Sequence, residues 1–466
     1  MNLITRFYWT AYLAGHLRGQ AGFPFSALDA VKRAQDRRVR AMARHAYETV
    51  PYYRETMDRL GLAPGDLRTA ADLARLPLIG PGELQGDPAR FMSSAHPIGR
   101  CVRLETSGST GQPRSVCCSA NAIFQNAAHG ERDRSVMTPL VGRKLGYRET
   151  VIGSALSSAR KLQQFVRSHA AFPPGAPIVR QYLSVLDSPE ENARLINEFR
   201  PDIIQSYGSY LGMLFSHLAD TAAPFHRPKV VTYSSDALSD SVRRLITERF
   251  GIPVFSTYQA IEAFKIGFEC EHHRGLHLNI DLYPVRIVDE SGRDVPEGDT
   301  GELVISNLVN PAMVLLNYRL GDLVNALPGR CPCGRTLPML AFPAGRCDDL
   351  VELPSGRMVN PVAVNKIFVR EPLIRQYQIV QHSVARISAS VVVDPAADRG
   401  ELEQRVKARF SERLGDEVRL DVQFVDAVDR TASGKSRTLV SLVRGRSAAE
   451  PSGERSGAET DAEPAS

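Results

Sequence analysis

"TSGSTGQPR", Thr106 to Arg114, packs four hydroxyl side chains and two glycines into six residues, then adds a proline and an arginine. A turn of this composition lets the backbone approach a polyanion closely and offers N–H and O–H donors to phosphate oxygens, while Arg114 supplies a positive charge. A helix starting near Asn121 would stand behind the loop. The stretch lacks the GK[ST] ending of a Walker loop, which argues against an ordinary P-loop fold. Alone it also reads as a solvated Ser/Gly turn, so the surrounding chain has to decide.

Working outward, 466 residues exceed one ordinary core and predict two or three domains. The net charge of +5 arises from 57 basic and 52 acidic residues that are interspersed, which describes a solvated surface and argues against a nucleic-acid face. No apolar run approaches the roughly 18 residues of a membrane span, and "MNLITRFYWTAYLAGHLRGQ" lacks a signal peptide's apolar core and cleavage site; the expectation is a cytoplasmic protein without a membrane partner. Seven cysteines, with Cys331 and Cys333 closely spaced, favour free thiols and one metal site over a disulfide framework.

Residues 27–60 carry apolar side chains at helical spacing, and "TAADLARLP" adds a short helix, giving a helical lead-in over about residues 1–90. Between Cys101 and Phe342, apolar runs such as "KVVTYSS", "IPVFSTY" and "GELVIS" alternate with amphipathic segments such as "SDSVRRLITERF". That alternation predicts an α/β domain with substantial parallel sheet. Beyond Gly345, "YQIVQHSVARISASVVVD" reads as a hairpin, "RGELEQRVKARFSERLG" as a helix and "EVRLDVQFVD" as a strand: a small α+β lid. The expected division is residues 1–345, a mobile domain over 346–445, and a disordered polar tail over 446–466.

Companion stretches follow the loop in a fixed order: "SSDAL" (Ser234 to Leu238), "YQAIEA" (Tyr258 to Ala263), "YRLGDL" (Tyr318 to Leu323), "GRCDDLVEL" (Gly345 to Leu353) and "DRTASGKSR" (Asp429 to Arg437). Together with "TSGSTGQPR" they resemble the motif series of the adenylate-forming (ANL) superfamily. The lead-in "RHAYETVPYYRE" and the pair "GFECEHHRGLH" and "CPCGR" are similar to the branch of phenylacetate-CoA ligase-like and coenzyme F390 synthetase-like proteins. The resemblance spans about residues 30–440.

It implies an enzyme in which a carboxylate attacks the α-phosphate of ATP, pyrophosphate leaves, and a thiol or amine then takes the acyl group from the adenylate. By similarity Thr106, Ser107, Gly108, Ser109, Thr110, Gly111 and Arg114 would hold phosphates; Ser235, Asp236, Tyr258 and Gln259 would line the adenine; and Asp322 would accept both ribose hydroxyls. Glu262 would bind Mg²⁺, Arg346 would stand beside ribose and phosphate, Lys435 would be the catalytic lysine, and Asp348 the hinge. Tyr147, Tyr207 and Tyr210 fall where the family places its acyl pocket. The sequence departs from the family at Arg114, where a lysine is usual, at Gln259 and Ile261, which replace glycine and serine, and at Glu352 and Leu353.

Cys270, Cys331 and Cys333 with one histidine would form a closed structural Zn²⁺ site. His277 matches the branch's "GLH" position, with His272 and His273 as alternates. The expected function is ligation of an aryl acid to CoA, with ATP and Mg²⁺. The alternatives are transfer to an amine or carrier-protein thiol, or a silent scaffold that retains the fold; a homodimer stays open.

Overall fold

The computed structural model describes residues 2–105, 114–155, 157–172, 177–343, 345–359, 361–369, 371–431 and 434–443. The loop Thr106 to Gly111 and the tail 446–466 therefore lie outside the described residues.

The lead-in is helical, as its periodicity predicts, but broken. One helix covers Leu28–Thr49 and buries Val31, Gln35, Val39, Met42 and Ala46, a single stripe at helical spacing. Pro51 has no N–H to donate and starts the next helix, Pro51–Arg59. The stretch "TAADLARLP" forms only the 3₁₀ turn Ala71–Arg75. A further helix, Leu3–Leu17, lays Trp9 flat on Phe124 with centroids 4.6 Å apart.

The lead-in clasps the body behind it through buried polar bonds. Gln35 Nε2 donates to the Ile280 carbonyl at 2.7 Å, and the Tyr53 hydroxyl accepts from Leu316 N at 2.7 Å. Arg132 is 1% exposed; it makes a two-toothed pair with Asp281 at 2.7 and 2.9 Å, bonds Asn279 and Gln20, and covers the Phe23 ring at 4.4 Å.

The body begins with an antiparallel pair, β1 (Val102–Glu105) and β2 (Ser115–Cys118). The helix Ala120–His129 follows, close to where the sequence predicts one. Next come β3 (Arg148–Gly153), β4 (Val179–Ser184), β5 (Ile203–Ser206), β6 (Val230–Tyr233) and β7 (Val254–Ala260), parallel in the order β4-β3-β5-β6-β7. Residues 254–256 of β7 pair with β6, and residues 257–260 pair antiparallel with β8 (Phe264–Glu269). From there the sheet continues antiparallel through β9 (Leu276–Leu278), β10 (Val285–Val288), β11 (Thr300–Ile305), β12 (Tyr318–Leu327) and β13 (Met339–Leu340), in the order β8-β9-β13-β12-β11-β10. The short β14 (Gly345–Arg346) adds to β12, with Arg346 opposite Asp322.

The chain then leaves this sheet. A turn at Cys347–Asp349 leads to the hairpin β15 (Val351–Glu352) and β16 (Met358–Val359). The strands β17 (Ile374–Ser383), β18 (Arg386–Val393), β19 (Arg419–Phe424) and β20 (Leu439–Ser441) form a second sheet in the order β19-β18-β17-β20. Helices Pro361–Val369 and Arg399–Leu414 close its core around Phe368, Ile379, Val406 and Phe410. Leu353, unusual by the family's pattern, is an ordinary member of that core at 1% exposure.

Asp281→Asn would leave Arg132 buried without its charge partner. Breaking such a pair costs about 3–5 kcal/mol, to be seen as a lower denaturation midpoint in urea; an unchanged midpoint would show that the clasp is not held by this pair.

Candidate active site

In an open parallel sheet, ligands sit beyond the carboxyl ends of the strands. Here those ends carry several of the predicted residues. β5 runs out into Tyr207, which precedes the helix Gly208–Thr221, and β6 runs out into Ser234, Ser235 and Asp236. Ser235 has a φ of +77°, a left-handed conformation costly for a serine and the kind of backbone found at functional sites.

Asp236 is gripped from two sides. Ser209 donates to it from its backbone N at 3.2 Å and its hydroxyl at 2.5 Å, and Ser436 N approaches from the second sheet's unit at 3.5 Å. Burial raises the Asp236 carboxyl above the ordinary carboxylate range in spite of those donors. Lys435, next to Ser436, holds its ammonium 5.6 Å from the Tyr207 ring centre. Burial lowers the Lys435 pKa; Asp236 is the largest influence pulling it back.

Asp322, on β12, receives the Tyr258 hydroxyl on Oδ2 at 2.5 Å and Arg346 Nη1 on Oδ1 at 2.9 Å. Burial and the Asp322 carboxylate raise the Tyr258 phenol well above the usual range, so it stays protonated as the donor. Gly321 is required before Asp322: its φ is +80°, and a Cβ there would lie 2.7 Å from Arg346 Nη2. Gln259 reaches back to the Ser234 hydroxyl at 2.9 Å, joining the ends of β6 and β7.

Glu262 is 4% exposed and faces Arg114 Nη1 at 3.5 Å. That arginine nitrogen also lies 3.4 Å from the Tyr318 hydroxyl. Burial raises the Glu262 carboxyl, with Arg114 the main opposing influence. Thus Arg114, expected as a phosphate ligand, is turned toward the carboxylate expected to serve Mg²⁺. Tyr318 and Ser209 join the site without having been singled out: Tyr318 opens the quoted "YRLGDL", whereas Ser209 has no sequence signal of its own. Asp348 lies in the turn Cys347–Asp349; its side chain is outside the described residues.

The three pocket tyrosines do not gather. Tyr207 is at the site, its hydroxyl 3.5 Å from Ser154 N. Tyr210 is 0% exposed, bonded to Asn192 and covered by Arg430, whose guanidinium stands 5.3 Å over the ring. It is a core residue one helical turn inside the mouth. Tyr147 precedes β3 and is buried at the amino ends of the parallel strands, so the length of β3, about 20 Å, separates it from Ser154. These two positions are corrected to packing residues because the sheet's polarity and the helix phase turn them inward.

A second cluster lies at the other end of the antiparallel strands. The ligand atoms of Cys270, His277, Cys331 and Cys333 all fall within 4.8 Å of one another. Cys270 and Cys331 sulfurs are 3.6 Å apart, and Cys333 Sγ is 3.4 Å from His277 Nε2. Tetrahedral edges built from Zn–S of about 2.3 Å and Zn–N of about 2.0 Å are close to these lengths, so the donor set fits a closed site. Met339 lies opposite His277 across β9 and β13, while the His277 Nδ1 is 3.4 Å from the Leu337 carbonyl, which fixes the ring. Burial raises the Cys270 thiol to about 12 and lowers His277 to about 4. His273 instead pairs with Glu269 at 2.8 Å, and His272 is exposed.

Comparison with known proteins agrees with this fold. Residues 100–310 match the family model "AMP-binding enzyme", and residues 351–441 match the "CapK C-terminal domain". The AMP-binding model thus accounts for residues 100–310, the stretch that carries the parallel strands. It is 26% identical over 436 residues to a phenylacetate-coenzyme A ligase of Aromatoleum evansii, covering 88% of this chain and 94% of that one. It is 19% identical over 422 residues to Protein CapK of Staphylococcus aureus, with 88% and 89% covered. Among solved structures, 2-hydroxyisobutyryl-CoA ligase in the postadenylation state with R3-HIB-AMP superposes with a TM-score of 0.69 at 20% identity, over 88% of this chain and 89% of that one.

Because the folded-state pKa of Asp236 is raised, the native state binds more protons than the unfolded state above the ordinary carboxylate pKa. The carboxyl's contribution is fully present below that value and is lost as pH rises through the folded one. In urea unfolding between pH 4 and pH 8, the wild type should therefore lose ground relative to Asp236→Asn as pH increases. A pH-independent difference would contradict the raised pKa.

Proposed function

We propose that the protein is an ATP-dependent ligase that activates a carboxylic acid as its acyl-adenylate and passes the acyl group to coenzyme A. The observation that carries the reading is the convergence of Lys435, from the second unit, on the same mouth as Asp236, Glu262 and the Tyr258–Asp322–Arg346 node.

Asp322 is the ribose acceptor in this reading, since one carboxylate offers two oxygens to two hydroxyls. Arg346 lies beside it for the α-phosphate. The acid's carboxylate oxygen attacks the α-phosphorus and the bond to pyrophosphate breaks; Lys435 opposes the charge gathering on the phosphate oxygens. The thiol then attacks the acyl carbon and AMP leaves. The outgoing phosphates would take Arg114 from Glu262, its partner here, and the donors of Thr106 to Gly111 would serve the same oxygens; Ser235 and Gln259 line the adenine, and Tyr207 presents the acyl wall, an aromatic surface that suits an aryl acid. Glu262 would hold Mg²⁺ as a single carboxylate, the usual protein share for an ion carried on phosphates. Cys270, His277, Cys331 and Cys333 would hold Zn²⁺, which would tie two distant segments of the chain together. Asp348 would be the pivot between the two units. No described helix is long and apolar enough to cross a membrane; we assign the protein to the cytoplasm.

Pyrophosphate release measured with ATP, Mg²⁺ and a panel of aryl and aliphatic acids, with and without CoA, tests the reading. Release that depends on one acid, followed by its CoA thioester, is expected. Release with no thioester would transfer the acceptor role to an amine or carrier-protein thiol, and silence across the panel would favour a scaffold. Lys435→Ala should reduce release by about 10²-fold or more while ATP binding changes little; equal loss of both would make the lysine structural. Metal analysis of protein purified without chelator should find one zinc per chain, and Cys331→Ser should lose it and lower the melting temperature. An absence of zinc from the wild type would remove the metal from the account.

A further inference from the structure

The two units are joined by contacts on the helix Gly208–Thr221 that no catalytic role requires. Arg375, on β17, is 8% exposed and bonds Asp220 of that helix twice, at 2.9 and 3.1 Å. Its Nη2 also holds Asp394, at the end of β18 in its own unit, at 3.0 Å. On either side, Ser239 donates to the Arg375 carbonyl at 2.8 Å and Ser241 to the Ile374 carbonyl at 2.5 Å. The next residue, Gln376, donates from Nε2 to the Ser209 carbonyl at 2.9 Å. Its amide occupies the space above Gly212: a Cβ there would collide with the Gln376 nitrogen and come within 3.5 Å of Val242.

Ser209 connects these contacts to the site. Its carbonyl takes Gln376, and its amide and hydroxyl hold Asp236, which receives the Ser436 amide beside Lys435. Strand β17, through Gln376, and the segment before β20, through Ser436, thus bear on one residue pair of the first unit, Ser209 and Asp236. Nearby, Arg430 Nη1 bonds the Val185 carbonyl at 3.0 Å.

The geometry points to the Asp220–Arg375–Asp394 triad, with Gln376 seated on Gly212, as the latch that positions Lys435 for adenylation. These are positioning residues: none reaches the nucleotide face. The arrangement also suits release. When the units part, Asp394 stays with Arg375, so the guanidinium is not left unpaired in a partly buried place. The proposal rests on the ligase reading for its catalytic consequence, but the latch itself can be tested without turnover.

Two variants of the full-length protein separate the outcomes. Gly212→Ala inserts a Cβ where the Gln376 amide sits, while alanine is the better helix former, so weaker docking would not come from a weaker helix. Asp220→Asn removes the charge on the first unit and leaves Arg375 its partner in the second. In the absence of nucleotide, hydrogen exchange at the Ser436 amide and along residues 208–221 should rise in both variants. The kcat for acid-dependent pyrophosphate release should fall at least tenfold with the KM for ATP within about twofold, and thioester formation from supplied acyl-adenylate and CoA should not fall. Unchanged exchange, equal loss in both half-reactions, or an unaltered kcat for pyrophosphate release would overturn the latch. If the wild type releases no pyrophosphate with any acid, the ligase reading fails, and the exchange result still decides whether the docking exists.

Discussion

Asp322 is the point on which the mouth of the site depends. A single carboxylate ties Tyr258 of β7, where parallel pairing gives way to antiparallel, to Arg346 of β14, the strand from which the chain departs for the second unit. Gly321 permits this by its left-handed φ and by leaving room for the guanidinium that a side chain would displace. The Tyr258 ring, the Arg346 charge and the start of the crossing segment are therefore set by one residue. A disturbance at Asp322 would move all three together, and the mouth could not stay formed while the crossing changed.

Around that node the charges are poised rather than satisfied. Glu262 and Asp236 are both raised by burial, and Lys435 is lowered by it, so desolvation outweighs pairing at each. Arg114 is the principal partner of Glu262, and Arg346 that of Asp322. A bound polyanion would meet three cations whose carboxylate partners lie in a poorly solvated pocket, where each charge acts over a longer range than at the surface. The same environment keeps the Tyr258 phenol protonated, which makes it a fixed donor to Asp322.

Much of this was legible from motifs. Asp322, Arg346, Glu262 and Lys435 were picked out by short strings, and the fold brings them to one edge. The failures have a physical pattern. Tyr147 and Tyr210 were assigned by neighbourhood in sequence, but which end of a strand faces the ligand, and which side of a helix faces the core, depend on sheet polarity and helix phase. Tyr210 lies three residues from Tyr207 and points into the core, where Asn192 satisfies its hydroxyl. Ser209 carried no signal because a serine near a helix start is common and its partner Asp236 is 27 residues away. Arg114 was read as the cation of the phosphate loop; its turn toward Glu262 depends on a contact across 148 residues.

The sequence by itself determined the elements and the chemistry on offer: strand and helix periods, the loop of small donors, the order of the motifs, and three cysteines and a histidine of the kinds a zinc ion takes. These are local properties, set by side-chain spacing and donor type along the chain. Only the tertiary structure decided which donors meet. It paired Arg114 with Glu262, chose His277 over His272 and His273 through the β9–β13 register, and set Lys435 at the mouth through contacts made by Arg375 and Gln376, some sixty residues earlier. Such choices rest on strand register, sheet polarity and docking of one unit on another, which are long-range constraints that no local window of sequence contains.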